Sequence, residues 1–344
     1  MNTPAHLLVM RFSAMGDVAM TVPVVKQLLQ QHPELTITFV SDVKFRALFD
    51  DIPRLTFFGA DIHGTYNGFT GLIKLFNQLK KIGNITAVAD LHDVLRSKFL
   101  SFLFKASGKK VEVINKGRKE KKELTRKHNK ILRPLRTSFQ RYADVFDALG
   151  YPVNLSNKQQ RIKLDVSNSI EQLLINSHQT KIGLAPFGKH KEKTYPIEEM
   201  EKVIAALSAG NNTIFLFGGG SERMQFETWQ KKYPNVINMA GRLSFKEELI
   251  LISHLDLMVS MDSGNMHLAS LYGVPVVSIW GATHPFAGFY GFGQDPSNAV
   301  QADLYCRPCS VFGNKTCYRG DWACMNMIAP QWIINKVDDI IKID

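Results

Sequence analysis

Short apolar runs and longer amphipathic stretches alternate along nearly all of this 344-residue chain. His6 to Phe12 predicts a strand that runs into the loop Ser13-Ala14-Met15-Gly16-Asp17. The stretch behind it sets Val22, Val25, Leu28 and Leu29 on one helical face and stops near His32-Pro33. Thr36 to Val40, rich in β-branched and aromatic residues, predicts a second strand, and Leu55 to Phe58 and Ile85 to Ala89 two more. Leu72, Leu75, Phe76 and Leu79 mark a helix between these last two. Strands separated by helices imply a parallel sheet covered on both faces.

The pattern then restarts. Lys181 to Ala185, Thr213 to Phe217, Val236 to Met239, Leu255 to Ser260 and Val274 to Trp280 read as strands. Ile197 to Leu207, a stretch ending near Lys232, Phe245 to Ser253 and Asn265 to Tyr272 read as the helices between them. Leu164 to Ser177 is polar and weakly patterned, which places a linker there. The expectation is two doubly wound, Rossmann-like α/β domains facing across a cleft, 1–165 and 166–344, the second ending in a cysteine-containing loop and a helix. No repeat of solenoid period is present.

With 45% apolar and 21% charged residues the composition is globular, which excludes disorder, collagen and coiled coil. The densest apolar run, Phe99 to Phe104, is far below the roughly 20 residues of a membrane span. The opening Asn2-Thr3-Pro4-Ala5-His6 does not read as a signal peptide, so a cytoplasmic protein is expected. Lys and Arg outnumber Asp and Glu by 42 to 31, an excess that favours anionic partners. It is concentrated between Lys105 and Arg141, with fourteen Lys or Arg against three Glu. No helix-turn-helix or RRM signature accompanies that stretch, which argues against nucleic acid.

Three loops fall where strands end, the place where open α/β sheets hold ligands. In the first, Gly16 permits a tight turn. Asp17 is either an ordinary helix cap or a carboxylate base. The second, Gly218-Gly219-Gly220-Ser221-Glu222, opens a helix and suits a phosphate. It is neither a Walker A loop nor GxGxxG, and the latter absence also disfavours an NAD-dependent dehydrogenase. In the third, Ser263, Gly264 and Asn265 can turn backbone N–H groups toward a diphosphate, and Asp262 can accept from sugar hydroxyls. His267 there is either a ligand contact or a satisfied interior histidine.

Taken together these segments resemble the ADP-heptose:lipopolysaccharide heptosyltransferases. The resemblance rests on Arg11-Phe12-Ser13-Ala14-Met15-Gly16-Asp17-Val18 with Thr21-Val22-Pro23, on Ala240-Gly241-Arg242-Leu243-Ser244, and on Asp262 through Ala269. Gly273-Val274-Pro275-Val276-Val277, Gly281-Ala282-Thr283-His284-Pro285 and the C-terminal cysteines extend it over nearly the whole chain. It implies a GT-B glycosyltransferase that moves heptose, with inversion, from ADP-heptose to an anionic glycolipid acceptor of the lipopolysaccharide inner core (lipid A/Kdo or a heptosyl acceptor). The first domain would hold the acceptor and the second the donor. Asp17, with Gly16 beside it, stands at the general base, and Lys193 at the donor phosphate, although Tyr195 precedes Pro196 where the family has Trp. Glu222 stands at the ribose, Ser263 and Gly264 at the diphosphate, and Asp262, with His267 nearby, at the sugar. The resemblance implies no metal and no cofactor, and an enzyme peripheral to the cytoplasmic face of the inner membrane. A donor other than ADP-heptose, or a basic membrane- or nucleic-acid-binding module that takes a nucleotide, are the alternatives. Cys306, Cys309, Cys317 and Cys324, spaced C-x2-C-x7-C-x6-C, suit either structural zinc or reduced thiols packing a loop.

Overall fold

The computed structural model describes residues 5–156, 160–175, 177 and 180–342. Asn2, Thr3 and Pro4, on which the N-terminal expectation partly rests, and Asn176 of the expected linker lie outside them. The chain forms two compact units, residues 1–117 with 136–156, and residues 118–135 with 157–344.

The first unit contains β1 (Ala5–Met10), β2 (Leu35–Ser41), β3 (Leu55–Gly59), β4 (Ala87–Asp90) and β5 (Lys110–Val113). They form one sheet in the order β3-β2-β1-β4-β5, with every pairing parallel. Each residue of β4 is buried, as a strand covered on both faces requires. Leu72, Leu75, Leu79, Leu100 and Phe104 pack with Leu8, Met10 and Val88 to cover one face. The helix Ser138–Leu149 joins the same unit, and its sequence marks both ends. Thr137 and Gln140 form a reciprocal capping box, and Gly150 ends the helix at φ +101.

The second unit contains β6 (Thr180–Ala185), β7 (Asn212–Leu216), β8 (Val236–Asn238), β9 (Leu257–Met261), β10 (Val276–Trp280) and β11 (Ala299–Gln301). Their order is β11-β10-β9-β6-β7-β8, again all parallel. Counted from its own first strand this is the 3-2-1-4-5-6 order of a Rossmann sheet, and the first unit repeats it with one strand fewer. The architecture is GT-B.

Two segments sit differently from the sequence reading. The stretch read as a linker carries a helix, Asn168–Ile175, with Ile170 buried, and belongs to the second compact unit. Residues 118–135 pack with the second unit and not with their neighbours in sequence. Leu124 and Leu135 cluster with Ala287, Leu135 N–H donates to Phe286 O at 2.9 Å, and the Lys130 ammonium donates to the Cys306 and Pro308 carbonyls at 2.7 Å each. Residues of no strong pattern are held there by contacts with loops 150 to 190 positions away.

Candidate active site

In each sheet the strand order reverses beside the first strand, between β1 and β4 and between β6 and β9. Connections there leave in opposite directions and open a crevice at the carboxyl ends of the strands. Asp17 follows β1, and Lys193 and Asp262 follow β6 and β9.

In the first unit, Met15–Ala19 is a single helical turn and Asp17 its third residue. Asp17 is not the cap residue; its Oδ2 accepts from the Ala14 N–H at 3.3 Å. The same oxygen pairs with Arg11 Nη2 at 2.8 Å, and the Asp17 side chain is 33% exposed while that of Arg11 is buried. Arg11 is held by the Leu91 carbonyl, to which Nη1 donates at 2.7 Å. Burial alone would lower the Arg11 pKa, but Tyr142, Asp17 and Asp90 outweigh it and the pKa is raised. The fully buried Tyr142 donates its hydroxyl to the Asp17 carbonyl at 3.3 Å, so helix 138–149 helps fix the turn that carries the carboxylate. Gly16 lies in that turn.

Leu91-His92-Asp93 follows β4 at the same switch point, and no motif in the sequence singles it out. Asp90 Oδ1 accepts from the His92 and Asp93 N–H groups at 2.8 and 2.9 Å, and Oδ2 from the Ser101 hydroxyl at 3.1 Å. Phe12 N–H donates to His92 Nδ1 at 3.3 Å, which leaves the ring proton on Nε2. Burial, reinforced by Arg11 and Lys116, pushes the His92 pKa down to about 3, so the ring is neutral at physiological pH. Applying the strand-end rule to β4 as well as β1 would have found Asp90 and His92.

In the second unit, Lys193 Nζ lies 2.8 Å from Asp262 Oδ2, both side chains nearly buried. The contact is electrostatic; Asp262 Oδ2 makes no directed hydrogen bond. Lys193 closes a short turn, its N–H donating to His190 O at 2.9 Å. The loop from 306 to 329 supports this turn. Glycine at 313, with φ +70, lets the Lys193 stem pass: a Cβ there would lie 2.2 Å from its Cγ and 2.5 Å from its Cδ. Lys191 Nζ stands 4.1 Å from the centre of the Trp322 ring. The buried Tyr195 donates to Ile328 O at 2.6 Å, which anchors the end of the turn.

Ser263 is the cap residue of helix Gly264–Leu271, and its own side chain makes no capping hydrogen bond. The Ser263 and Ser260 hydroxyls are 3.1 Å apart. Asn265 Oδ1, on the first turn, is buried with no hydrogen-bond partner. His267 is buried on the same helix. Glu222 ends the turn Gly220–Glu222 and accepts from the Ser221 hydroxyl at 2.9 Å. Of the three glycines before it, Gly218 serves packing: a Cβ there would meet the Phe226 ring at 2.8 Å.

The four cysteines are free thiols, and among the described residues no three His, Cys, Asp or Glu side chains converge as a metal site. Burial raises the Cys324 pKa to about 11 and that of Cys309 as well. The basic stretch is largely tied down. Arg141 is buried and donates to the Arg136 and Asn115 carbonyls, Arg136 pairs with Asp144, and Lys121 and Lys127 stand over the Phe289 and Tyr318 rings.

Two Rossmann-like units, with charged loops at both switch points, are the architecture of a GT-B glycosyltransferase. The chain belongs to glycosyltransferase family 9, the heptosyltransferases, whose family model matches residues 72–317. It is 25% identical over 292 residues to the lipopolysaccharide core heptosyltransferase OpsX of Haemophilus influenzae, covering 83% of this chain and 81% of that protein. The family 9 glycosyltransferase of Veillonella parvula superposes with a TM-score of 0.78 at 18% identity, over 100% of this chain and 99% of that one. Escherichia coli heptosyltransferase WaaC, solved with ADP-2-deoxy-2-fluoro heptose, does so with a TM-score of 0.66 at 16% identity, over 98% and 99%. The protein is a glycosyltransferase enzyme.

Proposed function

We propose that this enzyme transfers heptose from ADP-heptose to the inner core of lipopolysaccharide in a single inverting displacement. Asp17 takes the proton from the acceptor hydroxyl as its oxygen attacks the anomeric carbon. The bond from that carbon to the diphosphate oxygen breaks, and ADP leaves with the electron pair. Lys193 meets the charge that develops on the departing diphosphate, where a fixed cation contributes most. The N-terminal N–H groups of helix 264–271, led by Ser263 and Gly264, receive the phosphates. Asp262 holds Lys193 before the donor arrives and turns to the sugar afterwards, Glu222 accepts from the ribose, and Gly16 and His267 line the two pockets. Arg11 fixes the Asp17 carboxylate, and the neutral His92 sets the loop on which it stands.

Two observations carry this reading: a partly exposed, oriented carboxylate at the switch point of the first unit, and, in the second unit, a cation beside a helix N-terminus that its own Ser263 side chain leaves uncapped. The names of the similar proteins, OpsX and WaaC among them, support heptose as the sugar. The glycolipid acceptor places the enzyme at the cytoplasmic face of the inner membrane, with no role for nucleic acid. Transfer is measured with ADP-heptose and, in parallel, other nucleotide sugars, on deep-core lipopolysaccharide acceptors. Turnover with ADP-heptose alone is expected; preference for another nucleotide sugar would replace the donor and keep the mechanism.

A further inference from the structure

The helices Gly68–Leu79 and Leu95–Ala106 lie side by side on one face of the first sheet. Phe69 meets Phe99 edge-on at 5.3 Å between ring centres, and Phe76 meets Phe104 at 4.9 Å. Their inner sides supply Leu72, Leu75, Leu79, Leu100 and Phe104 to the core. Their outer sides are not polar, as a solvated helix face normally is. Phe69 is 63% exposed, Ile73 45% and Phe102 66%. Ile73 and Phe69 are one turn apart, as are Phe99 and Phe102, so the Phe69–Phe99 contact joins them into one apolar strip.

The charges around the strip have one sign. Neither helix contains Asp or Glu, while Lys74, Arg96, Lys98 and Lys105 lie on them and Lys80 and Lys81 follow the first. Lys98 and Lys105 flank Phe102 one turn away on either side. Of the nearby carboxylates, Asp93 pairs with Lys98 at 3.3 Å, and Asp61 turns back on its own loop to accept from the Gly64 and Thr65 N–H groups. Among the described residues no helix is long and apolar enough to cross a membrane.

We propose that the strip formed by Phe69, Ile73, Phe99 and Phe102, with the lysines around it, docks the first unit onto an anionic lipid surface. The aromatic rings enter the interface between headgroups and acyl chains while the ammonium groups meet lipid phosphates. This deepens the functional reading and rests on it, because an acceptor anchored by acyl chains must be met at the membrane. It assigns docking to these two helices and not to the basic stretch near residue 120, where Lys121 and Lys127 stand over aromatic rings and Lys130 holds two carbonyls.

The test is sedimentation of the full chain with vesicles of phosphatidylglycerol and phosphatidylethanolamine, against phosphatidylcholine vesicles, across a salt series. Wild type binds the anionic vesicles and is released by salt. Phe69→Ser with Phe102→Ser weakens partitioning about 100-fold, and neutralising Lys74 and Lys105 to Gln weakens it about fivefold per residue with a shallower salt dependence. Lys119→Gln with Lys122→Gln binds as wild type. Equal binding by the double Phe variant, equal binding to phosphatidylcholine, loss confined to the Lys119 and Lys122 variant, or no binding by wild type would each overturn the proposal. Since the altered side chains face solvent, Tm and transfer to a delipidated core oligosaccharide stay unchanged. Failure of wild type in that soluble assay would count against the functional reading and not against docking.

Discussion

Replacing Gly313 by Ala puts one methyl group where the stem of Lys193 passes. At φ +70 an L-residue costs about 1–2 kcal/mol, and the new Cβ would lie 2.2 and 2.5 Å from Lys193 Cγ and Cδ. The Lys193 stem is also close to Gly188, where an added Cβ would lie 2.9 Å from Lys193 Cβ. A shift of the stem to relieve the clash carries with it the ammonium group, which stands 2.8 Å from Asp262. A misplacement of about 1 Å in a positioned catalytic group costs about 100-fold in rate. Gly313→Ala should accordingly lower kcat/KM about 100-fold while Tm falls by only a few degrees. If the damage passes through Lys193, the double variant with Lys193→Ala is no worse than Lys193→Ala alone. Near wild-type kcat/KM, or losses that multiply in the double variant, would refute the reasoning. A Lys193→Ala enzyme of full activity would instead remove Lys193 from the mechanism.

Asp17→Asn should lower kcat by about 100- to 10,000-fold with donor affinity, read by calorimetry with ADP-heptose, unchanged. Lys193→Ala should weaken donor binding and slow the chemical step together, whereas Glu222→Ala should raise the donor KM with a smaller effect on kcat; identical profiles would deny the two residues separate roles. Glu248, pushed up to about 7 by burial, should give a stability term of opposite slope to an ion-paired acid. Between about pH 4.5 and 7 the folded chain keeps a proton that the unfolded chain has released, so stability falls as pH rises. Glu248→Gln should remove that fall and stabilise by up to about 3 kcal/mol near pH 8, seen as a higher Tm there and little change near pH 5.

Most strands that the hydrophobic pattern identifies are covered on both faces, where burial leaves a nearly continuous apolar run, as in Val276–Trp280, interrupted only by the buried Ser278. β5 escapes detection because it is an edge strand, Lys110-Val111-Glu112-Val113, whose charges belong to the basic stretch and whose ends are exposed. Helix 138–149 has both its capping signals in the sequence, yet the preceding run of cations obscures them. At the candidate site, the residues that the sequence motifs single out, Asp17, Asp262 and Lys193, lie in loops or short turns that follow strands. Their supports are not legible in the sequence, because each acts from a distant part of the chain. His92 reaches the Phe12 amide across 80 residues, and Gly313 makes room for Lys193 across 120. A glycine signals that a side chain is missing, but not which neighbour fills the space.

The course of the chain limits how this protein can be taken apart. Residues 118–135 leave the first unit, build into the second and return before residue 136, so neither half is a continuous piece of polypeptide. A gene fragment starting at residue 157 would encode the second sheet complete but without Leu124 and Leu135, leaving Ala287 and its partly buried neighbours Phe286 and Phe289 uncovered, and without the Lys130 ammonium that holds two carbonyls of the cysteine loop. A free-standing second half therefore calls for residues 118–135 to be supplied as a separate peptide or spliced on by circular permutation. Exchange of halves between relatives, the usual route to hybrid glycosyltransferases, needs three junctions here where one would be expected.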